Sequence, residues 1–229
     1  MKNKKLFLSI LIFNILFFVV AAWLLPIQYE ENDDIAMCMI ANGLFSGSPD
    51  CHLVYINAIY GCLLVLLYKL LGVVEWYAVS LSVLHIISMT VIAYTILIGK
   101  RVKGIVKSVF LLFFYVIWTR ITMAFQYTTT AGLTCLAGCV LLSRKTKSGY
   151  IFGLVLVVIA SMVRFSAAAL VALLFIPMFI CENGLKVKSY IPLAFVLLFV
   201  LLFKVLDSCF YKSVEWKEYK KFGSSIIKD

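Results

Sequence analysis

The chain has 229 residues, 64% of them hydrophobic, a mean hydropathy of +1.05 and a formal net charge of +10. A soluble domain is closer to half apolar, so this composition excludes a water-soluble globular protein and indicates an integral protein of the lipid bilayer. The basic residues stand in small clusters between apolar runs, which is typical of loops that orient a membrane protein. This spacing speaks against nucleic acid as a partner.

The apolar runs predict an all-α, polytopic helix bundle that forms one transmembrane domain over residues 1–229, with a polar C-terminal tail at 207–229. The first run, residues 6–25, is longer than the apolar part of a cleaved signal peptide. It therefore predicts an uncleaved first span with a cytoplasmic N-terminus. Six further spans are predicted at residues 78–98, 108–124, 127–142, 150–163, 166–180 and 190–205.

Residues 27–75 form the predicted extracytoplasmic first loop. A partly helical apolar pattern predicts a short helix along the membrane surface, ending near Gly43 and the turn at residues 47–50. Its apolar positions are Ile35, Met37, Met39, Ile40 and Leu44. Residues 55–71 are apolar but barely long enough to cross, which suggests an interfacial or re-entrant helix.

The distribution of charge favours this interpretation of residues 55–71. If they do not cross, twelve of the 21 basic residues lie in the N-terminus and three inner loops, and the acids of the first loop lie outside. If they do cross, nine of those twelve lie outside. We therefore predict seven spans plus one interfacial or re-entrant helix, with the N-terminus inside and the C-terminus outside. Five lysines of the tail then lie outside, against the same preference.

Four of the eleven acids fall within residues 30–34, as Glu30, Glu31, Asp33 and Asp34. A carboxylate cluster beside a membrane is either a solvated loop or a site for catalysis, cations or protons. Adjacent carboxylates repel each other, so either one of Asp33 and Asp34 has a raised pKa or a divalent cation bridges them.

The seven cysteines include no CxxC pair and no histidine partner at metal spacing, and most lie in apolar segments as small buried hydrophobes. Cys38 and Cys51 flank the polar part of the first loop. A disulfide between them stays open if that loop is extracytoplasmic. His85, in the middle of a predicted span, is interpreted as a packing or hydrogen-bonding residue.

Arg120 and Arg164 stand near the outer tips of two predicted helical hairpins. Charges at membrane depth normally face a cavity or a partner, and a guanidinium group suits bidentate binding of phosphate. The alternative is that each arginine snorkels to the interface or pairs with a loop carboxylate. Three further residues are candidates for substrate binding: Gln126 on the first hairpin tip, and His52 and Glu31 in the outer loop. Thr128–Thr130 either bond back to helix carbonyls or contact substrate.

One span followed by an acidic motif in the first outer loop resembles the GT-C glycosyltransferases, and among them the family-39-like membrane enzymes that use polyprenyl-phosphate-linked sugars. Four other stretches are also similar to this group: the turn at residues 47–50, the segment before Glu75-Trp76, and the stretches 126–131 and 215–219. Closer still is the resemblance to bacterial multi-pass proteins that carry an Asn-Asp-Asp motif, here Asn32-Asp33-Asp34.

The resemblance implies that Asp33 or Asp34 acts as general base on an acceptor hydroxyl, whose oxygen then displaces the lipid phosphate from the sugar. From its position, Arg120 or Arg164 is expected to stabilise the leaving phosphate. Enzymes of this family are generally longer, so the chain corresponds to their membrane module, a truncated product or a subunit.

Two other functions stay open. One is a non-catalytic membrane subunit, or a degenerate fragment, that works with a larger membrane partner. The other is a small transporter or flippase. The chain has no obvious internal repeat and its carboxylates cluster in a loop rather than within a span, and both features disfavour transport.

Overall fold

The computed structural model describes residues 2–99, 103–184 and 190–212, and most of this part of the chain is helical. The described residues form nine helices and one pair of two-residue strands. In chain order these are α1 Lys2–Leu24, β1 Gln28–Tyr29, α2 Asn32–Asn42, α3 Ala58–Leu70, α4 Trp76–Ile98, α5 Gly104–Met123, β2 Ala124–Phe125, α6 Tyr127–Leu142, α7 Lys147–Val163, α8 Phe165–Asn183 and α9 Ile191–Phe210.

Five of these helices, α1, α4, α5, α8 and α9, are long and apolar enough to cross a membrane. The all-α prediction is thus confirmed, and each predicted span coincides with a helix. Helices α6 and α7 are apolar but have only 16 and 17 residues. At 1.5 Å per residue they are about 25 Å long, slightly short of a ~30 Å hydrocarbon core. Seven crossings therefore remain a prediction.

The helices that correspond to the seven predicted spans alternate in direction. Asn14 of α1 donates to Thr90 Oγ1 of α4 at 2.9 Å, and the ring of Phe7 packs on Tyr94, so α1 and α4 are antiparallel. The β1–β2 pairing, parallel with Gln28 opposite Ala124, joins the ends of α1 and α5. We call this end of the bundle, which also holds α2 and Asp34, the acidic end. The opposite end, with Lys4 and Arg144, is the basic end.

Helices α2 and α3 lie at the acidic end. Helix α2 ends at Gly43, whose φ of 90° is left-handed, as the predicted surface helix requires. Helix α3 begins where the Asn57 N–H donates to Met162 O at 2.8 Å. It ends near Tyr68, whose hydroxyl accepts from the Tyr77 N–H at 3.1 Å. Both contacts lie at the acidic end, so α3 does not run the length of the bundle, in agreement with an interfacial or re-entrant helix.

Helices α6 and α7 pack closely against each other because glycines face each other. A Cβ on Gly138 would lie 2.7 Å from Val157 Cγ2 and 2.9 Å from Gly153 O. A Cβ on Gly153 would lie 2.8 Å from Gly138 O. Small residues of this kind let helix backbones approach in a membrane, where lipid gives no hydrophobic drive to associate.

The last helix differs from expectation at its end. Helix α9 extends to Phe210, so Asp207 belongs to an apolar helix rather than to the predicted polar tail. None of its residues is buried. The motif at residues 215–219 lies outside the described residues.

Candidate functional site

The acidic motif forms the first turn of α2, and its two aspartates have different surroundings. Asp34 is fully buried, with 0% of its surface exposed. Its Oδ1 accepts from the Tyr77 hydroxyl at 2.7 Å and from the Tyr127 N–H at 3.1 Å. A single carboxyl group therefore joins α2 to the starts of α4 and α6.

The second oxygen of Asp34, Oδ2, is buried and has no hydrogen-bond partner among the described residues. Burial raises the pKa of Asp34 to about 6, and the nearby charges of Asp33 and Glu31 add to the rise, while the bonds from Tyr77 and Tyr127 oppose it. A carboxyl group with such a pKa exchanges its proton close to neutral pH. Of Asp33 and Asp34, Asp34 is thus the residue with the raised pKa that the sequence led us to expect.

Asp33 and Glu31 are open to the surroundings. Asp33 is partly exposed and Glu31 is exposed, and Glu31 precedes α2 without a side-chain capping bond. Asp33 directly precedes Asp34 in the first turn of α2, so it stands beside the carboxylate that binds the Tyr127 N–H. Asp33 is therefore the carboxylate of the pair that a substrate can reach.

Arg164 occupies the break between α7 and α8, where its extended backbone separates the two helices. Its guanidinium carbon lies 5.2 Å from the ring centre of Tyr55 and 5.2 Å from that of Tyr127. These rings stack with centres 6.2 Å apart. Cation–π contacts of this kind hold a guanidinium group without neutralising it. Its Nε is buried and has no hydrogen-bond partner within the described ranges.

Tyr127 therefore connects the two kinds of charge. Its backbone N–H binds Asp34, and its ring contacts Arg164. We call Asp33, Asp34, Tyr55, Tyr127 and Arg164 the Tyr127 cluster. The structure thus brings Asp33, Asp34 and Arg164 to one place, as the sequence predicted for one of the two arginines.

A polar cavity of about 120 Å³ lies beside Tyr55, between the segment that directly precedes α3, the α7–α8 junction and α9. Its polar lining comes from Asn57, Ser161, Lys204 and Asp207. Lys204 lies over the Phe165 ring at 4.4 Å, and Asp207 Oδ1 accepts from the Ala58 N–H at 2.8 Å. A second cation therefore stands next to the Tyr127 cluster.

Sequence reasoning missed five residues of this region: Tyr55, Tyr77, Tyr127, Lys204 and Asp207. Lys204 had a usable signal, because it is a charge inside the apolar run predicted at residues 190–205, and the same rule selected the two arginines. Asp207 lay beyond that run, in the predicted polar tail, and had no such signal. The tyrosines had none, since twelve tyrosines and 18 phenylalanines fill the chain.

Two other predicted site residues, Arg120 and Gln126, are not part of the Tyr127 cluster. Arg120 is exposed in the last turn of α5, and its side chain forms no hydrogen bond or ion pair within the described residues. Gln126 precedes α6, and its carbonyl oxygen accepts from the hydroxyls of Thr129 and Thr130 at 3.0 and 2.8 Å. For these two threonines, the alternative of back-bonding to a carbonyl is confirmed.

His52 belongs to a second cluster at the acidic end. Its Nδ1 is 2.6 Å from Asp50 Oδ1, and its Nε2 donates to Phe210 O at 3.2 Å. Although burial raises the pKa of Asp50, the hydrogen bonds from His52 hold it below its usual value. Donor atoms of Asp50, Cys51 and His52 lie within 4.8 Å of one another, so these residues could hold a metal ion. In the described chain no such group of metal-ligating side chains forms at Asp33 and Asp34, where the sequence suggested a cation.

Cys38 and Cys51 are free thiols. Cys38 donates to Glu75 Oε2 at 3.0 Å. The disulfide that the sequence left open is thus not formed.

His85 takes part in a buried chain of hydrogen bonds. Trp118 Nε1 donates to His85 Nδ1 at 3.3 Å, so the proton of a neutral ring is on Nε2, which donates to Thr130 Oγ1 at 2.8 Å. Thr130 in turn donates to the carbonyl of Gln126. The predicted hydrogen-bonding role of His85 is confirmed, and it supports the start of α6 directly before Tyr127.

Fold and site together define a helical protein with five helices able to cross a membrane and a cluster of opposite charges around Tyr127. No protein-family model matches the chain, and neither a curated protein nor a solved structure matches it.

Proposed function

We propose that the chain is a multi-pass protein of the cell membrane and a GT-C-like glycosyltransferase module. It transfers a sugar from a polyprenyl-phosphate carrier to an extracytoplasmic acceptor. The observation that carries this proposal is the Tyr127 cluster. The Tyr127 N–H binds the buried carboxylate of Asp34, and the partly exposed Asp33 directly precedes Asp34 in α2. The guanidinium group of Arg164, whose Nε has no hydrogen-bond partner within the described ranges, contacts the Tyr127 ring. Such a transfer needs a base at one end of the reacting bond and a cation at the other.

In this proposal Asp33 is the general base, because it is the partly exposed member of the pair. It takes the proton of the acceptor hydroxyl while that oxygen bonds to the anomeric carbon. The bond from this carbon to the lipid phosphate breaks, and the phosphate leaves with the electron pair. Asp34 is a positioning residue that fixes α2 against α4 and α6.

Arg164 stabilises the charge that develops on the leaving phosphate, and Lys204 assists from α9. The free Nε of Arg164 supports this role, because a buried donor without a partner is costly unless a ligand supplies an acceptor. The polar cavity gives the phosphate a place beside Lys204, which lines it, and beside Tyr55, whose ring contacts Arg164.

The topology of this proposal has seven spans, with the acidic end outside and the basic end inside. The alternating helix directions support it, as does the return of α3 to the end where it begins. Reporter fusions after Lys103 and after Lys147 test it, and both are expected to report the cytoplasm. An extracytoplasmic signal at either point would contradict the topology.

The central experiment compares Asp33→Asn and Asp34→Asn in membranes supplied with polyprenyl-phosphate-linked sugars. We expect Asp33→Asn to abolish transfer with normal insertion and stability. Asp34→Asn should reduce transfer less, because an asparagine oxygen can still accept from Tyr77 and Tyr127. Glu30→Gln is the matched control, since Glu30 is exposed and its backbone N–H, which the substitution keeps, donates to Phe125 O. Normal transfer by both variants and by their double mutant rules out this function.

A second candidate function is that of a non-catalytic membrane subunit. The full burial of Asp34 favours it, because both of its hydrogen bonds hold helices together and neither reaches a substrate. Helices α5 and α9 also present almost entirely exposed apolar faces that a larger membrane partner could cover as well as lipid. Co-purification of such a partner, with transfer only by the complex, would favour this function over an autonomous enzyme.

A further inference from the structure

The basic end contains a groove of about 710 Å³ between α1, α4 and the α6–α7 hairpin. Its walls are apolar and include Phe7, Leu84, Val91 and Leu156. Along α4 the lining runs from Leu84 to Tyr94, which at 1.5 Å per residue is about 15 Å. That length is about half of a ~30 Å hydrocarbon core, the depth of one lipid leaflet.

The mouth of this groove is cationic. Arg144 and Lys4 both line it, and the guanidinium carbon of Arg144 lies 5.1 Å from the Tyr94 ring centre. Thr146 and Ser148 line the same mouth at the start of α7, where the helix dipole adds positive potential. None of the described residues that line the groove is acidic.

We propose that this groove binds one anionic phospholipid. Its phosphate lies between Lys4 and Arg144 at the start of α7, and one acyl chain lies along the apolar wall formed by α1, α4 and α7. Charge complementarity selects the anionic headgroup, and the one-leaflet depth of the groove suits a lipid of the leaflet at the basic end. This site is separate from the Tyr127 cluster and does not depend on glycosyl transfer.

The apolar wall alone would accept any lipid chain, so the headgroup preference is the property that distinguishes this site. Phosphatidylglycerol and phosphatidylcholine share their chains and phosphate and differ in net charge. A preference for the first that requires Lys4 and Arg144 therefore reports the cationic mouth. Glycerol phosphate, which has the anion without chains, reports the contribution of the groove wall.

The experiment measures lipid binding to the purified full chain by native mass spectrometry after exchange with either lipid. We expect a preference for phosphatidylglycerol that falls roughly 10- to 30-fold in the double variant Lys4→Gln/Arg144→Gln. Lys4→Gln alone, at an exposed position, should give a smaller fall and keeps the test valid if the double variant folds poorly. The charge-matched control at the same end is Lys107→Gln/Lys145→Gln, whose side chains bond Leu97 O and Glu182 O outside the groove.

A second variant, Ile87→Trp, places bulk in the groove wall and should weaken binding of both lipids. Equal binding of the two lipids by the unmodified protein would overturn the proposal. So would an equal loss of preference in the control variant, or binding of glycerol phosphate as tight as that of the lipid.

Discussion

The two ends of the bundle are held together by different means. At the acidic end, polar side chains join elements across the chain: Asp34 binds α4 and α6, Asp207 caps α3, and Asn57 Nδ2 donates to Phe203 O at 3.0 Å. At the basic end, the facing glycines of α6 and α7 bring backbones together, and a groove stays open beside them. Short and broken helices leave free backbone groups that polar side chains must satisfy, whereas a regular hairpin needs only small residues.

The charges of the two ends follow the same division. At the acidic end carboxylates and cations lie close together around aromatic rings, so the region has donors and acceptors for a reaction. The basic end has cations at the mouth of an apolar groove and no acid in its lining. The proposed sugar transfer uses the first arrangement, and the proposed lipid site uses the second.

Among variants that test how the two ends are held together, we expect Asp34→Leu to have the largest effect on stability. It leaves the Tyr77 hydroxyl and the Tyr127 N–H as buried donors without an acceptor, each at a cost of about 1–3 kcal/mol. The thermal unfolding temperature in detergent should fall steeply, and far less in Asp34→Asn. Equal unfolding temperatures of the two variants would show that these hydrogen bonds do not hold the acidic end.

A pH titration sharpens the same point. The pKa of Asp34 is raised from 3.8 to about 6, so its contribution to stability is complete below pH 4 and is lost as pH rises through about 6. At 1.36 kcal/mol per unit, the loss is roughly 3 kcal/mol at most. The measurement is the unfolding temperature between pH 4 and 7, taken as the difference between the unmodified chain and Asp34→Asn. That subtraction removes groups such as Asp50, whose lowered pKa acts in the opposite sense.

Variants of the two arginines test whether transfer requires a cation that contacts the Tyr127 ring or only a cation somewhere at the acidic end. On the proposed function, Arg164→Gln should lower transfer about 100-fold or more, as expected for loss of one donor to a developing anion. Arg164→Lys should recover part of it. Arg120→Gln removes the same charge from the exposed face of α5 and should change transfer little. Equal losses from both glutamine variants would point to general electrostatics of that end.

The smallest expected change in stability comes from a substitution at the basic end. Gly138→Ala should destabilise the α6–α7 pair by about 1–3 kcal/mol, because the new methyl group would lie 2.7 Å from Val157 Cγ2. Gly132→Ala is the control in the same helix, where the nearest atom is 3.8 Å away. That change should be neutral or slightly stabilising, since alanine favours helix more than glycine. The readout is again thermal unfolding, and a stable Gly138→Ala variant would contradict close packing at this pair.

Much of the helix layout could be predicted from sequence because the apolar runs and the glycines are local signals. The runs at residues 6–25 and 78–98 correspond to α1 and α4, and Gly43 ends α2 as expected. Charge counting also indicated that residues 55–71 stay at one end. The extension of α9 to Phe210 was missed, because Asp207 looked like the start of a polar tail until its carboxylate was seen to cap α3.

By itself the sequence determined a helical, membrane-compatible chain and the position of its acidic motif after the first apolar run. Only the tertiary structure decided which charges meet. Asp34 and Arg164 are 130 positions apart, and they share a site because Tyr127 binds one through its backbone and the other through its ring. The tertiary structure also decided that Asp34 is buried and Asp33 is accessible. Burial depends on which residues of α4 and α6 pack against α2, and the sequence around the aspartates does not reveal this.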